Sequence, residues 1–68
     1  MQIQVNGEYE DVSNGLRLSE LISRMKLRTD QIAVELNHQV VRRSAWQSII
    51  LQADDRVEIV HFVGGGRR

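Results

Sequence analysis

The sequence predicts a single α+β domain in which a mixed sheet of four to five strands packs on one main helix. Three observations predict it. The chain opens with two short alternating segments joined by Asn6-Gly7. One stretch, Leu18 to Met25, has the apolar spacing of an amphipathic helix. After it come short alternating segments broken by turns, ending in the run Arg56 to Phe62.

Met1 to Val5 alternates apolar and polar with period two, the pattern of a half-buried strand. Asn6-Gly7 follows, and both central positions of a type I′ hairpin turn need positive φ, which these residues tolerate best. Glu8 to Val12 is the returning strand, and Ser13-Asn14-Gly15 breaks it. Leu18, Leu21, Ile22 and Met25 fall at i, i+3, i+4 and i+7, one apolar stripe on a helix whose other side is polar. Arg24 and Lys26 suit the negative end of its dipole. Ile32 to Leu36 is a third strand, Asn37-His38 a turn, and Gln39 to Val41 a fourth strand. Ser44 to Gln47 forms a short helical turn, Ser48 to Leu51 leads on to the polar turn Ala53-Asp54-Asp55, and the last strand runs from Arg56 to about Phe62. This order is a β-grasp arrangement. One apolar stripe and one apolar sheet face are the minimum for a two-layer core. Its expected members are Ile3, Val5, Leu18, Leu21, Ile22, Met25, Val34, Leu36, Leu51, Val57 and Ile59.

A chain of 68 residues without Cys has no disulfide or thiolate metal site to staple a small core. There is no membrane-length apolar run and no signal-peptide pattern at Met1, so the expected location is the cytoplasm. Nine basic and nine acidic residues balance, which excludes a general nucleic-acid binder. Leaving out Arg67 and Arg68, seven basic residues face nine acidic ones, so the body carries −2.

Residues 1–63 are expected to form the domain and 64–68 a flexible tail, Gly64-Gly65-Gly66-Arg67-Arg68. Glycine loses more backbone freedom on ordering than any other residue, so three in a row have no packing value. They do make a slim tail that fits a narrow active site. In the last strand Val57 and Ile59 point one way and Glu58, Val60 and Phe62 the other. With the first pair in the core, Val60 and Phe62, continued by Val63, form an exposed apolar surface beside the tail. A partner-docking role is read there in preference to packing under a loop.

At these residues the chain resembles the ThiS-type sulfur carriers of thiamine biosynthesis. The resemblance rests on Met1-Gln2-Ile3-Gln4-Val5-Asn6-Gly7, on Glu20-Leu21, and on Val34-Glu35-Leu36-Asn37 followed by Val40-Val41. Its most specific part is the run Asp55-Arg56-Val57-Glu58-Ile59-Val60-His61-Phe62-Val63-Gly64-Gly65-Gly66. The resemblance implies a ubiquitin-like β-grasp and a protein cosubstrate with no bound cofactor and no catalysis of its own. It implies that a ThiF-type activating enzyme uses ATP to adenylate the carboxylate of Gly66, with Gly64 and Gly65 threading into that enzyme. Sulfur from a cysteine desulfurase then gives a thiocarboxylate, which donates to a ThiG-type thiazole synthase. No nucleic acid or membrane partner is implied.

Arg67-Arg68 departs from the family pattern, in which the reactive glycine is terminal. Removal by a C-terminal-processing peptidase, an expression remnant, and lost carrier chemistry all account for it, and processing is the reading carried forward. Such trimming also fits carriers for other pathways such as sulfur amino acid synthesis, and carriers of molybdopterin synthesis share the fold and tail but resemble the His61-Phe62-Val63 ending less. A ubiquitin-like protein modifier and a plain binding module remain the other classes.

The other polar features have simpler readings. His38 and His61 lack companions at metal-ligand spacing. Asp54-Asp55 reads as a solvated turn, and so does Arg42-Arg43 in preference to a phosphate or acidic-partner contact. Trp46 reads as an anchor at the rim of the core.

Overall fold

In the computed structural model, residues 1–62 are described, and Val63 to Arg68 lie outside the described residues. Strand β1 (Gln2–Val5) and strand β2 (Glu8–Asp11) pair antiparallel, with Val5 opposite Glu8 and Gln4 opposite Tyr9. Asn6 (φ 50°) and Gly7 (φ 84°) both take left-handed backbone, as the two-residue type I′ turn requires. The backbone ladder continues past both strands, with Val12 N–H donating to the Met1 carbonyl at 2.8 Å.

Helix α1 (Leu18–Arg24) begins where Glu20 accepts a hydrogen bond from the Arg17 backbone N–H at 2.8 Å. This satisfies one of the free donors at a helix start and places a negative charge at its positive end. The helix ends sooner than its apolar spacing predicts. Lys26 at φ 56° turns the chain away, so Met25, expected in the core, is 36% exposed. A 3-10 turn (Thr29–Gln31) leads into β3 (Ile32–Leu36), and Asn37 (φ 52°) and His38 (φ 71°) make a second left-handed hairpin turn into β4 (Gln39–Val41). A longer 3-10 segment (Arg43–Ser48) carries Trp46, and β5 spans Arg56–His61.

The strand order is β2-β1-β5-β3-β4, with β1 and β5 parallel and every other neighbour antiparallel. With α1 packed across one face, this is the ubiquitin-like β-grasp. β5 is therefore the central strand of the sheet, flanked by β1 and β3. Ile3, Val5, Val34, Val57 and Ile59 point toward Leu18, Leu21 and Ile22 of the helix, and all are buried. Each such side chain contributes roughly 1.5–3 kcal/mol by leaving water. Leu36, also expected in the core, packs only at its margin. Val12, Leu16, Ile32 and Trp46 complete the core instead.

Leu16 is carried inward by an exchange outside the main sheet. Leu51 N–H donates to its carbonyl at 2.8 Å, and Leu18 N–H donates to the Ile49 carbonyl at 2.9 Å. These bonds pin the segment before the helix to the segment before β5. Among the described residues no helix is long and apolar enough to cross a membrane.

Candidate functional site

The site is built on the end of β5. Alternation along the strand sends Val57 and Ile59 into the core and Glu58 and Val60 to the outer sheet face, away from the helix. Val60 lies opposite Ala33 of β3 and is 54% exposed, and Phe62, just beyond the strand, is 52% exposed. Phe62 is still tied to the sheet, because its N–H donates to the Gln31 carbonyl at 2.8 Å. Two large apolar side chains are thus presented to solvent on a fixed backbone, at the point where the chain leaves toward residue 63. Their exposure leaves apolar surface in water.

Polar bonds hold this strand in register. Asn6 Oδ1 accepts from the Ile59 N–H at 2.7 Å, while Asn6 N–H donates to the Val57 carbonyl at 2.8 Å. One hairpin residue therefore grips β5 on both sides of Glu58. At the other end Asn37 Oδ1 accepts from the Arg56 N–H at 2.9 Å, and Asn37 Nδ2 donates to Asp55 Oδ1 at 3.0 Å. Asp55 Oδ2 also accepts from the Gln52 N–H at 2.7 Å. Asp55 is therefore an organiser of its turn, where the sequence reading had both aspartates solvated. Asp54 sits beside it in left-handed backbone, φ 70°.

Next to Val60 on the outer face, Glu58 stands directly opposite Glu35. Like charges in that position repel. Val40, 74% exposed, lies beyond Glu35 on the same face. Of the docking residues expected from sequence, Val60 and Phe62 come together here, while Val63 lies outside the described residues. So do Gly64, Gly65 and Gly66, the expected threading and reacting glycines, and the Arg67-Arg68 extension.

His38 and His61 are separated by the length of β3, since His61 pairs with Ile32 and His38 follows Leu36 in the hairpin turn. His38 Nε2 lies 3.2 Å from an Arg56 guanidinium nitrogen. Among the described residues no three His, Cys, Asp or Glu side chains gather as metal ligands do. Trp46 is buried, and its indole N–H donates to the Val41 carbonyl at 3.0 Å, an anchor deeper than the rim position expected for it. It forms one wall of an open groove of about 350 Å³ beside β4, where Arg42 and Arg43 are also found.

A family model described as the ThiS family matches residues 3–66, a stretch that ends on the third glycine of the tail. The crystal structure of a thiamine biosynthesis protein (ThiS) from Geobacter metallireducens superposes with a TM-score of 0.84 at 35% identity, covering 97% of this chain and all of that one. The sulfur carrier protein ThiS of Escherichia coli is 29% identical over 97% of this chain and its own full length. A thiazole synthase from Magnetococcus marinus is 39% identical over 98% of this chain. The chain spans about a fifth of the length of the thiazole synthases it matches.

Proposed function

The chain belongs to the ThiS family, and from that premise we propose that it is a sulfur carrier of thiamine biosynthesis which works through the carboxylate of Gly66. The observation that carries the proposal is the family match running unbroken through Gly66, on a body whose central strand presents Val60 and Phe62 at the root of the tail.

The chemistry follows from the reactivity of a carboxylate. A carboxylate is a poor electrophile and needs a leaving group. The Gly66 oxygen attacks the α-phosphate of ATP in a ThiF-type activating enzyme, and pyrophosphate leaves. A sulfur nucleophile drawn from a cysteine desulfurase then displaces AMP, with a thiol supplying the two electrons that persulfide sulfur requires. The resulting thiocarboxylate is a strong nucleophile and hands its sulfur to a ThiG-type thiazole synthase. In this scheme the carrier is a cosubstrate, and both enzymes act on it. The Magnetococcus relative, named a thiazole synthase and containing a stretch like this chain, supports that last partner.

Gly64 and Gly65 leave room around the reacting carbon, so nucleotide and enzyme groups align for attack. Ordering such a tail costs roughly 1–2 kcal/mol per residue. Docking of the folded body through Val60, Phe62 and Val63 offsets that cost. Arg67 and Arg68 follow Gly66 in the sequence, so the peptide bond after Gly66 is cut by a peptidase before the carboxylate can react.

The test is reconstitution. Protein ending at Gly66 is incubated with ATP, an activating enzyme, a cysteine desulfurase, cysteine and a thiol, and its intact mass is recorded. The mass should rise by the exchange of one oxygen for sulfur, and protein retaining Arg67-Arg68 should not change. Conversion of the untrimmed protein, or of neither, refutes the proposal.

A further inference from the structure

Strand β4 is short. Its last residue, Val41, pairs with Val34, so Ala33 and Ile32 of β3, paired with β5 on one side, have no strand partner on the β4 side among the described residues. The chain leaves β4 through Arg42, still extended at φ −67° and ψ 150°, and enters the 3-10 segment. The groove of about 350 Å³ opens at this step in the sheet, floored by Ile32, Ala33 and Trp46 and rimmed by Val40, Arg42 and Arg43.

Two features set its chemistry. First, Arg42 and Arg43 are exposed and make no ion pair among the described residues. Asp30 also lines the groove and feels the charge of Arg43, but its ion pair, at 3.1 Å, is with Arg28. A pair of arginines over an apolar floor favours a carboxylate whose hydrocarbon stem is buried. Second, the groove is continuous with the docking face. Extending the β3–β4 register by one row places Arg42 beside Ala33, and Ala33 is the cross-strand neighbour of Val60. Val60 and Ala33 therefore lead from the root of the tail to the groove, which Ala33 and Arg42 both line.

We propose that the docking surface of this carrier extends across β3 into the groove, where Arg42 and Arg43 clamp a carboxylate-bearing segment of the thiazole synthase. The proposal rests on the reading of Val60 and Phe62 as the docking face, and it adds an electrostatic clamp to an apolar contact. A volume near the floor of small-molecule sites, roughly 300 Å³, and an opening beside the β4-side edge of Ile32 and Ala33 suit a protein side chain and its backbone. Clamping on the far side of Val60 from the tail also fixes the rotation of the body on its partner, which apolar contacts alone do not.

The experiment titrates unlabelled ThiG-type thiazole synthase from the same genome into 15N-labelled carrier, at several salt concentrations. The indole N–H of Trp46 and the amides of Ala33 and Val40 should shift together with that of Phe62. Arg42→Glu with Arg43→Glu should weaken binding about ten-fold at low salt and flatten the salt dependence. Both side chains are exposed, so the fold should be kept, and the Arg42→Gln, Arg43→Gln pair should give a smaller loss in the same direction. Val60→Asp should weaken binding while leaving the salt slope unchanged. If Val60→Asp weakens binding but the arginine variants bind as the parent does, the clamp is overturned and the docking face stands. If Val60→Asp also binds as the parent does, the docking face itself has failed, and the clamp with it.

Discussion

Asn6 is the residue whose replacement most directly tests how the hairpin holds the site strand. It occupies left-handed backbone at φ 50°, and its Oδ1 accepts from the Ile59 N–H at 2.7 Å in a partly buried setting. Asn6→Ala strands that N–H in the central strand, at about 1–3 kcal/mol, and alanine in left-handed backbone costs about 1 kcal/mol more than asparagine, whose short polar side chain tolerates it. The expected loss is about 2–4 kcal/mol, a large share of the ~5 kcal/mol available to so small a domain. In a domain of this size it lowers Tm by about 10 °C or more. Asn6→Gly loses the acceptor but takes left-handed backbone without steric cost, and should fall in between. Asn6→Asp keeps an acceptor and the turn preference and should stay within about 1 kcal/mol of the parent. Urea unfolding followed by fluorescence of Trp46, the only tryptophan, gives the three values. The reasoning is refuted if Asn6→Asp is as damaging as Asn6→Ala, because the acceptor would then not matter. Equal losses for Asn6→Gly and Asn6→Ala would remove the backbone component.

Phe62→Ala should leave stability within about 0.5 kcal/mol, as for other exposed positions, yet weaken binding to the activating enzyme by about ten-fold; calorimetry on the pair measures both, and unchanged binding would remove Phe62 from the docking face. Glu58→Lys turns the repelling pair with Glu35 into an attractive one and should raise stability by about 0.2–1 kcal/mol in denaturant unfolding, with a decrease counting against the cross-strand repulsion. The Arg28 hydrogen bond and charge hold the carboxyl of Asp30 below its ordinary range, so its contribution is present above the unfolded pKa and is lost as pH falls through the folded one. Asp30→Asn should therefore be slightly less stable than the parent at neutral pH and equal to it in acid. A difference that persists in acid would assign the effect to something other than the Arg28 pair.

Much of the fold was legible because its turns and strands carry short-range signals. Asn6-Gly7 marked a hairpin that formed with both residues left-handed, and Asn37-His38 behaved in the same way. The alternation from Arg56 onward assigned Val60 and Phe62 to the outer face, and both are exposed. Met25 kept the helical spacing, but spacing does not show where a helix stops, and the left-handed turn at Lys26 moved it outward. Val12 ends the first hairpin's ladder, bonded to Met1, whereas Leu16 sits where no period operates. Leu16 is buried where two segments distant in the chain bond to each other, its carbonyl accepting from Leu51. The groove beside Arg42 was illegible for a similar reason. It exists because β4 stops opposite Val34 while β3 continues, and the length difference between two paired strands is a tertiary fact. Without it, two adjacent arginines read as a solvated turn.

The central claim is that Gly66 becomes the chain's reactive end. Its most direct test is the intact mass of the protein isolated from its own cell under thiamine limitation. The account predicts a species ending at Gly66, part of it with one oxygen exchanged for sulfur. A population in which Gly66 remains bonded to Arg67 throughout, with no sulfur gained, would contradict it.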